Sequence, residues 1–375
     1  MNMFRFCPHA GCVYHDKAPE DHEWYEYFDA YETKAFGTVP RFRCEACKRS
    51  FSTQTFRTEY YMKKVVDLKD LVNRHVSSMS TRAIGRAMGL SAGSVQNRIE
   101  RLARQGLAVH GRLRLGMTTK QDICIDGLVS FDQSQYFPNE ITMSITAKSR
   151  YVIEMTHATR KRSGSMKREQ KQKAKEVYAG VSLERGGVTR TFREQLDILE
   201  TLHPASRERP LVLITDEKPL YGQVLWKHGI TKGEHVVHHV RVNSRLPRTM
   251  ANPLFPSNYL EREIRKDQVN HHREAVCYTR NVANGLARLS CYLVHHNYMK
   301  KYLIDAPVWD DRKHGEVAGI PREDVEREVG KMFEEREFLT RLGKVLSRPL
   351  ERIWMKEGRT PGKKRAEYLP KFALG

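Results

Sequence analysis

Two aspartates stand where apolar runs end. Asp126 lies in DICIDGLVSF and Asp216 in PLVLITDEKPLY. An apolar run that stops at a carboxylate reads as a buried strand delivering an acid to the edge of a sheet. A third acid stands in NYLEREIRKDQVNHHRE, where Glu261 and Glu263 are two residues apart. On a helix they point to different faces, so only one can join the pair, and Glu263 is the preferred one. Three converging carboxylates suit Mg²⁺ or Mn²⁺, hard ions that keep several waters and need few protein oxygens. Two such ions about 4 Å apart activate the attacking oxygen and stabilise the leaving one in displacement at a phosphodiester. Asp122 and Glu217 are nearby acids outside this pattern. An isolated strand-end Asp is more often a turn or cap residue, so the ordered set of three carries the reading.

The second constellation is soft. Cys7 and Cys12, with four residues between them, form one pair, and Cys44 and Cys47 in RFRCEACKRSF form another. A tight CxxC turn lets two thiolates reach one ion, and four complete the tetrahedron that Zn²⁺ takes. Phe51 is placed to pack under the second knuckle, and His9, His15 or His22 could replace one thiol. Cys124, Cys277 and Cys291 lie in apolar surroundings and are expected to be buried core thiols. Seven cysteines in 375 residues are too few for a disulfide scaffold, which favours metal binding in a reducing compartment.

The elements that must position these residues follow from periodicity. Residues 63–75 carry Val65, Val66, Leu68, Leu71 and Val72 as the apolar positions of a first helix. In SMSTRAIGRAMGLSAGSVQNRIERLARQG, Ser80 and Ser91 cap two further helices, Gly89 makes the turn between them and Gly106 ends the second. Val95, Ile99 and Leu102 face inward, leaving Ser94, Gln96, Asn97, Arg98 and Arg101 on or near the surface. That is the pattern of a helix-turn-helix whose second helix reads the major groove. From Gln121 the texture changes to strands: three in a meander, then helices alternating with PLVLITD and VVHHVRV, then a basic helical region over 258–302. The expected class is α+β multi-domain: a zinc ribbon over 1–58, a helical helix-turn-helix domain over 59–110, an RNase H-like α/β catalytic domain over 118–304 and a helical C-terminal tail over 305–375. The tail contains the amphipathic PREDVEREVGKMFEEREFLTRLGKVL, expected to cover the core.

Charge points to the partner. The chain carries 65 Lys and Arg against 45 Asp and Glu, a net charge of +20. Residues 1–40 are net −4, 41–110 are +9, 111–304 are +13 and 305–375 are +2. The densest basic run, over 160–175, has eight basic residues and one acidic, and reads as a solvated loop able to contact phosphates. No stretch of about 18 apolar residues exists and the N-terminus lacks a signal-peptide core, so no membrane partner and a cytoplasmic location are expected. Nucleic acid is the partner such a charge excess implies.

These segments resemble, in the same order over about residues 5–302, bacterial insertion-sequence transposases of the DDE type that fuse a zinc ribbon and a helix-turn-helix to an acidic-triad domain. RFRCEACKRSF is similar to that family's second zinc knuckle, STRAIGRAMGLSAGSVQNRIERL to its helix-turn-helix, and LITDEKPLY to its second-Asp motif. REIRKD with CYTRN is similar to its third-acid helix and the basic turn that follows. The resemblance implies a metal-binding triad of Asp126, Asp216 and Glu263 or Glu261, with Zn²⁺ on Cys7, Cys12, Cys44 and Cys47. It also implies cleavage at element ends followed by attack of the freed 3′-hydroxyl on target DNA, by a homo-oligomer associated with the bacterial nucleoid. Arg265, Lys266, His271, His272 and Arg273, beside the third acid, would grip phosphates. The alternative is a DNA-binding regulator that keeps the fold without the chemistry.

Overall fold

The computed structural model describes residues 3–117, 120–203, 206, 209–232, 236–272 and 277–374. The chain is mixed α and β, with two sheets. A single-turn helix α1 (Val13–Asp16) precedes a small antiparallel sheet of β1 (Tyr25–Thr33), β2 (Gly37–Cys44) and β3 (Ser50–Ser52). Gly37, at φ +62°, makes the tight return between the first two strands. Aromatic rings fill this unit: Phe4 meets Tyr25, Phe42, Phe51 and Phe56 at centroid separations of 5.0 to 5.2 Å.

Three helices follow: α2 (Leu68–Val76), α3 (Thr81–Met88) and α4 (Ala92–Leu115). The first begins later than residue 63 because the Asp67 carboxylate caps it, accepting from the backbone of Lys69 and Asp70. Val65, expected inside, is exposed. Gly106 does not end α4, which runs on to Leu115. Burial outweighs the propensity cost of a helical glycine here, because a Cβ at 106 would press on Val294 at 3.1 Å.

The second sheet has the order β6-β5-β4-β7-β8, built from β4 (Ile123–Leu128), β5 (Asn139–Thr146) and β6 (Val152–Thr159), then, after α5 (Arg168–Tyr178) and α6 (Gly187–Leu202), β7 (Leu211–Asp216), and, after α7 (Pro219–Lys227), β8 (Val237–Val242). The first three form an antiparallel meander, and β7 and β8 run parallel to β4. The parallel step from β6 to β7 needs the crossover that α5 and α6 supply. All eight residues of β5 are buried, as in a central strand covered on both faces. The basic run expected as a loop turns helical from Arg168, and Ala174 is the one buried residue of α5.

The basic region over 258–302 divides into α8 (Phe255–Asp267) and α9 (Val282–Tyr298). The tail forms α10 (His314–Val317), α11 (Arg322–Glu334), α12 (Leu339–Leu342) and α13 (Arg348–Trp354). Its amphipathic helix stops at Glu334 rather than continuing, because the chain turns to insert Phe338 against Phe6 at 5.2 Å and Phe56 at 5.9 Å. One apolar core runs from Leu68 to Trp354, so the segments expected as separate units over 59–110, 118–304 and 305–375 share it. The tail is bound in: Arg112 pairs with Glu328 at 2.6 Å and Glu337 at 2.5 Å, while Arg114 and the Ser347 hydroxyl both meet Glu154. Cys124 and Cys291 are buried as expected, but Cys277 is exposed. No helix among the described residues is long and apolar enough to cross a membrane.

Candidate functional site

Register puts the two aspartates side by side. The pair Cys124↔Ile214 aligns β4 with β7, and Asp126 and Asp216 each lie two residues further on, at one level and on one face. Each is steadied by backbone: Asp126 Oδ1 accepts from the Gly127 amide at 2.7 Å, and Asp216 Oδ1 from the Lys218 amide at 3.0 Å. Burial raises the Asp126 carboxyl above the usual range, and the charges of Asp216 and Glu140 push the same way.

The third acid is decided by the phase of α8. Burial, and then the field of Asp126, push Glu261 up to about 7, and Arg265 holds one of its oxygens at 2.9 Å. Glu263 looks elsewhere. Burial would raise it, but the Lys300 ammonium at 2.8 Å prevails and holds it below the ordinary value. The preference for Glu263 is therefore corrected: of the two, Glu261 is the one in the field of Asp126, since a two-residue step turns a helix by more than half a circle. The oxygens of Asp126, Asp216 and Glu261 are not among the described groups whose ligand atoms all lie within 4.8 Å of one another.

Two further residues belong here. Glu140 on β5 is fully buried, with Oε1 on the Lys218 ammonium at 2.8 Å and Oε2 facing the Arg160 guanidinium at 3.5 Å. It fits because position 127 is glycine; a Cβ there would stand 2.7 Å from Glu140 Oε1. The signals were an acid opening an apolar strand and a glycine directly after Asp126. Lys218 is the main compensating cation, and Asp216 and Asp126 help to raise its affinity for the proton despite burial. Asp126 and Glu261, both raised by burial and by neighbouring carboxylates, are oxygen donors whose ionisation a divalent cation would favour.

The four cysteines converge. Cys7 and Cys47 sulfurs lie 3.8 Å apart and those of Cys12 and Cys44 3.7 Å apart, and all four lie within 4.8 Å of one another. A tetrahedron of thiolates about 2.3 Å from an ion has edges of about 3.8 Å, so the cluster could hold a metal ion. Lys48, at φ +57°, turns the second knuckle and its amide donates to the Cys44 carbonyl at 2.9 Å. Burial raises the thiols of Cys7 and Cys44, whereas at Cys47 burial is outweighed by the Arg49 amide and the neighbouring thiols, which lower it. None of the three histidines takes a thiol's place. His9 meets the Ser50 carbonyl, His15 bridges the Cys7 carbonyl and Thr340, and His22 pairs with Asp21.

A second compact group, Asp197, Glu200 and His228, also lies within ligand spacing. There both ring nitrogens are engaged: Nδ1 accepts from the Ile230 amide at 3.0 Å and Nε2 donates to Asp197 at 2.9 Å. The arrangement serves as a clip between α6 and the end of α7.

In the helical unit Ser80 and Ser91 cap as expected, accepting from Ala83 and Ser94, and Gly89 has φ +62°. Ser94, Gln96 and Asn97 are half-buried near the start of α4. Arg98 and Arg101, expected near the surface, are buried. Arg98 donates to the carbonyls of Lys64 and Ser94, and Arg101 to those of Thr58 and Tyr60, with its guanidinium 4.1 Å from the Phe372 ring centre. They fasten the approach to α2 onto α4. Exposed cations here include Arg82 and Arg86 on α3 and Lys69 on α2. Beside the acids, Lys266 is exposed and Arg265 half-buried, whereas Arg273 lies outside the described residues. His271 is buried on Ser130 and held neutral, its pKa lowered to about 4 by burial, so it cannot grip phosphates. His272 is exposed. In comparison with known proteins, the chain matches no family model and no curated relative.

Proposed function

We propose that this chain is a DNA strand transferase of the DDE type, a transposase that binds element ends, cleaves a strand there and joins it to target DNA. The observation that carries the reading is the placement of Asp126 and Asp216 at one level on adjacent parallel strands, with Glu261 of α8 in the field of Asp126. The strand order, a three-strand meander extended by two parallel strands, supports an RNase H-like catalytic domain. A regulator has no use for buried acids that repel one another, and such groups persist chiefly where chemistry requires them.

Asp126, Asp216 and Glu261 would hold Mg²⁺ or Mn²⁺. Those ions supply activation of the attacking oxygen and charge neutralisation on the leaving one. Arg265 orients Glu261, and Lys218 steadies Glu140 beneath the pair. Cys7, Cys12, Cys44 and Cys47 would hold Zn²⁺ and so fix the ribbon. The helix-turn-helix would recognise the ends through Ser94, Gln96, Asn97 and the exposed cations of α3, and the joining of two ends calls for a homo-oligomer. In strand-transfer assays on DNA carrying the inverted repeats that flank the gene, Asp216→Asn is expected to abolish cleavage and joining while end binding persists. Undiminished joining by that variant would sink the reading.

A further inference from the structure

One face of α8 carries Phe255, Tyr259, Arg262 and Lys266 at three- and four-residue spacing. With Arg265 and Arg248 from the preceding loop, these residues line a cavity of about 410 Å³. That is within the roughly 300–1,000 Å³ of pockets that enclose a small ligand. The described lining contains four Lys or Arg side chains and no carboxylate. Its floor is aromatic: the Phe255 and Tyr259 rings lie 5.9 Å apart and tilted, with guanidiniums of Arg150 and Arg262 4.5 and 5.4 Å from the Tyr259 ring centre. The pocket adjoins the acidic site, because Arg265 in its wall also holds Glu261. Arg265 Nε is buried and has no hydrogen-bond partner.

Cations in a row answer phosphates, and duplex DNA would use them alone. Ring faces answer bases, and a base can use them only when it is out of the helix stack. We propose that this pocket receives one unpaired nucleotide of the DNA strand that enters the acidic site. Its base lies against Phe255 and Tyr259, and its phosphate between Arg248, Arg262 and Lys266. The inference rests on the phosphodiester reading of Asp126, Asp216 and Glu261, and it adds that the strand is locally melted at the point of reaction.

The test uses the full chain without divalent cation, so that no cleavage is read. Anisotropy of a fluorescein-labelled oligodeoxynucleotide is measured as a single strand and as a duplex with its complement. Tyr259→Leu is expected to weaken single-strand binding about ten-fold, with duplex binding little changed, and Tyr259→Phe, which restores the ring, to recover it. Arg262→Ala, at an exposed position where folding is not at stake, is expected to lower affinity for the single strand more than for the duplex. Equal affinities of Tyr259→Leu and the unsubstituted protein for the single strand, or equal losses on both forms, overturn the pocket. So does tighter binding of the same strand as RNA. Such a failure leaves the cleavage test of Asp216→Asn standing, and failure of that test leaves strand preference to be read on its own.

Discussion

Glu261 and Glu263 share a residue type and a helix, and their surroundings separate them. Glu261→Gln is expected to lower divalent-dependent cleavage on the order of 10³-fold, the scale of several kcal/mol of transition-state charge stabilisation. Glu263→Gln keeps cleavage and costs about 1–3 kcal/mol of stability, because the Lys300 ammonium loses its charged acceptor. Cleavage rates and denaturant midpoints measured on both variants check the pair, and a cleavage loss confined to Glu263→Gln would reverse the assignment. Asp126 and Asp216 were legible because a strand that ends on an acid leaves a mark in the sequence. The choice of Glu was not, because it depends on how α8 is rotated against the sheet. Arg98 and Arg101 misled for a related reason. Apart from the Ser94 carbonyl one turn before Arg98, the carbonyls that take their guanidiniums belong to residues 58 to 64, and no periodicity within α4 announces those.

At the scale of elements, the turn between α3 and α4 shows what local chemistry can and cannot declare. Ser80, Gly89 and Ser91 announce it, but the tightest requirement falls on Gly85, inside α3. A Cβ there would stand 2.5 Å from the Leu90 carbonyl oxygen, whereas at Gly93 the nearest atom is 3.9 Å away. Gly85→Ala is expected to destabilise the protein by about 1–3 kcal/mol through forced backbone movement. Gly93→Ala is expected to stabilise it by up to about 1 kcal/mol through helix propensity. Thermal melts distinguish the two, and similar shifts of the same sign would refute the close approach. The length of α4 was not legible, because it depends on Val294 of α9 and on Val345, whose carbonyl oxygen would lie 2.5 Å from a Cβ at Gly111.

Across the whole molecule, buried neutral histidines join distant segments. His75 on α2 meets the Arg288 carbonyl of α9, His110 on α4 meets the Ile153 carbonyl of β6, and His314 meets the Ser149 carbonyl. Burial lowers them to about 4, 3 and 4. Their folded pKa values lie below the unfolded value of about 6.5, so on acidification the unfolded chain takes up protons first. Stability from these groups is complete above pH 6.5 and is lost as pH falls toward 4. Glu261 and Asp126, both raised, act in the opposite sense in the metal-free protein, Glu261 losing its contribution as pH rises through about 7, but the three histidines are joined by His271 and His295, which burial also lowers to about 4. A melting temperature that drops steadily from pH 6.5 to 4.5 is expected, and a flat profile over that range would contradict it. The charge of +20 makes a second global prediction: DNA affinity falls steeply with salt, and a flat dependence would remove phosphate contacts as its purpose.

The contact between ribbon and tail sets a timetable for biosynthesis. His15 meets Thr340 at 2.8 Å across 325 residues, and Arg341 donates to the His15 carbonyl. During translation the N-terminal unit therefore leaves the ribosome long before the segment that packs on it, and Phe6, which meets His15 and Phe56 nearby in the chain, lacks its third ring partner until Phe338 has been made. A ribosome stalled before residue 338 would hold the N-terminal unit without the Phe338 ring that packs on Phe6 and Phe56. Emergence of residues 338 to 341 is thus the event that joins the N-terminal unit to the later segment.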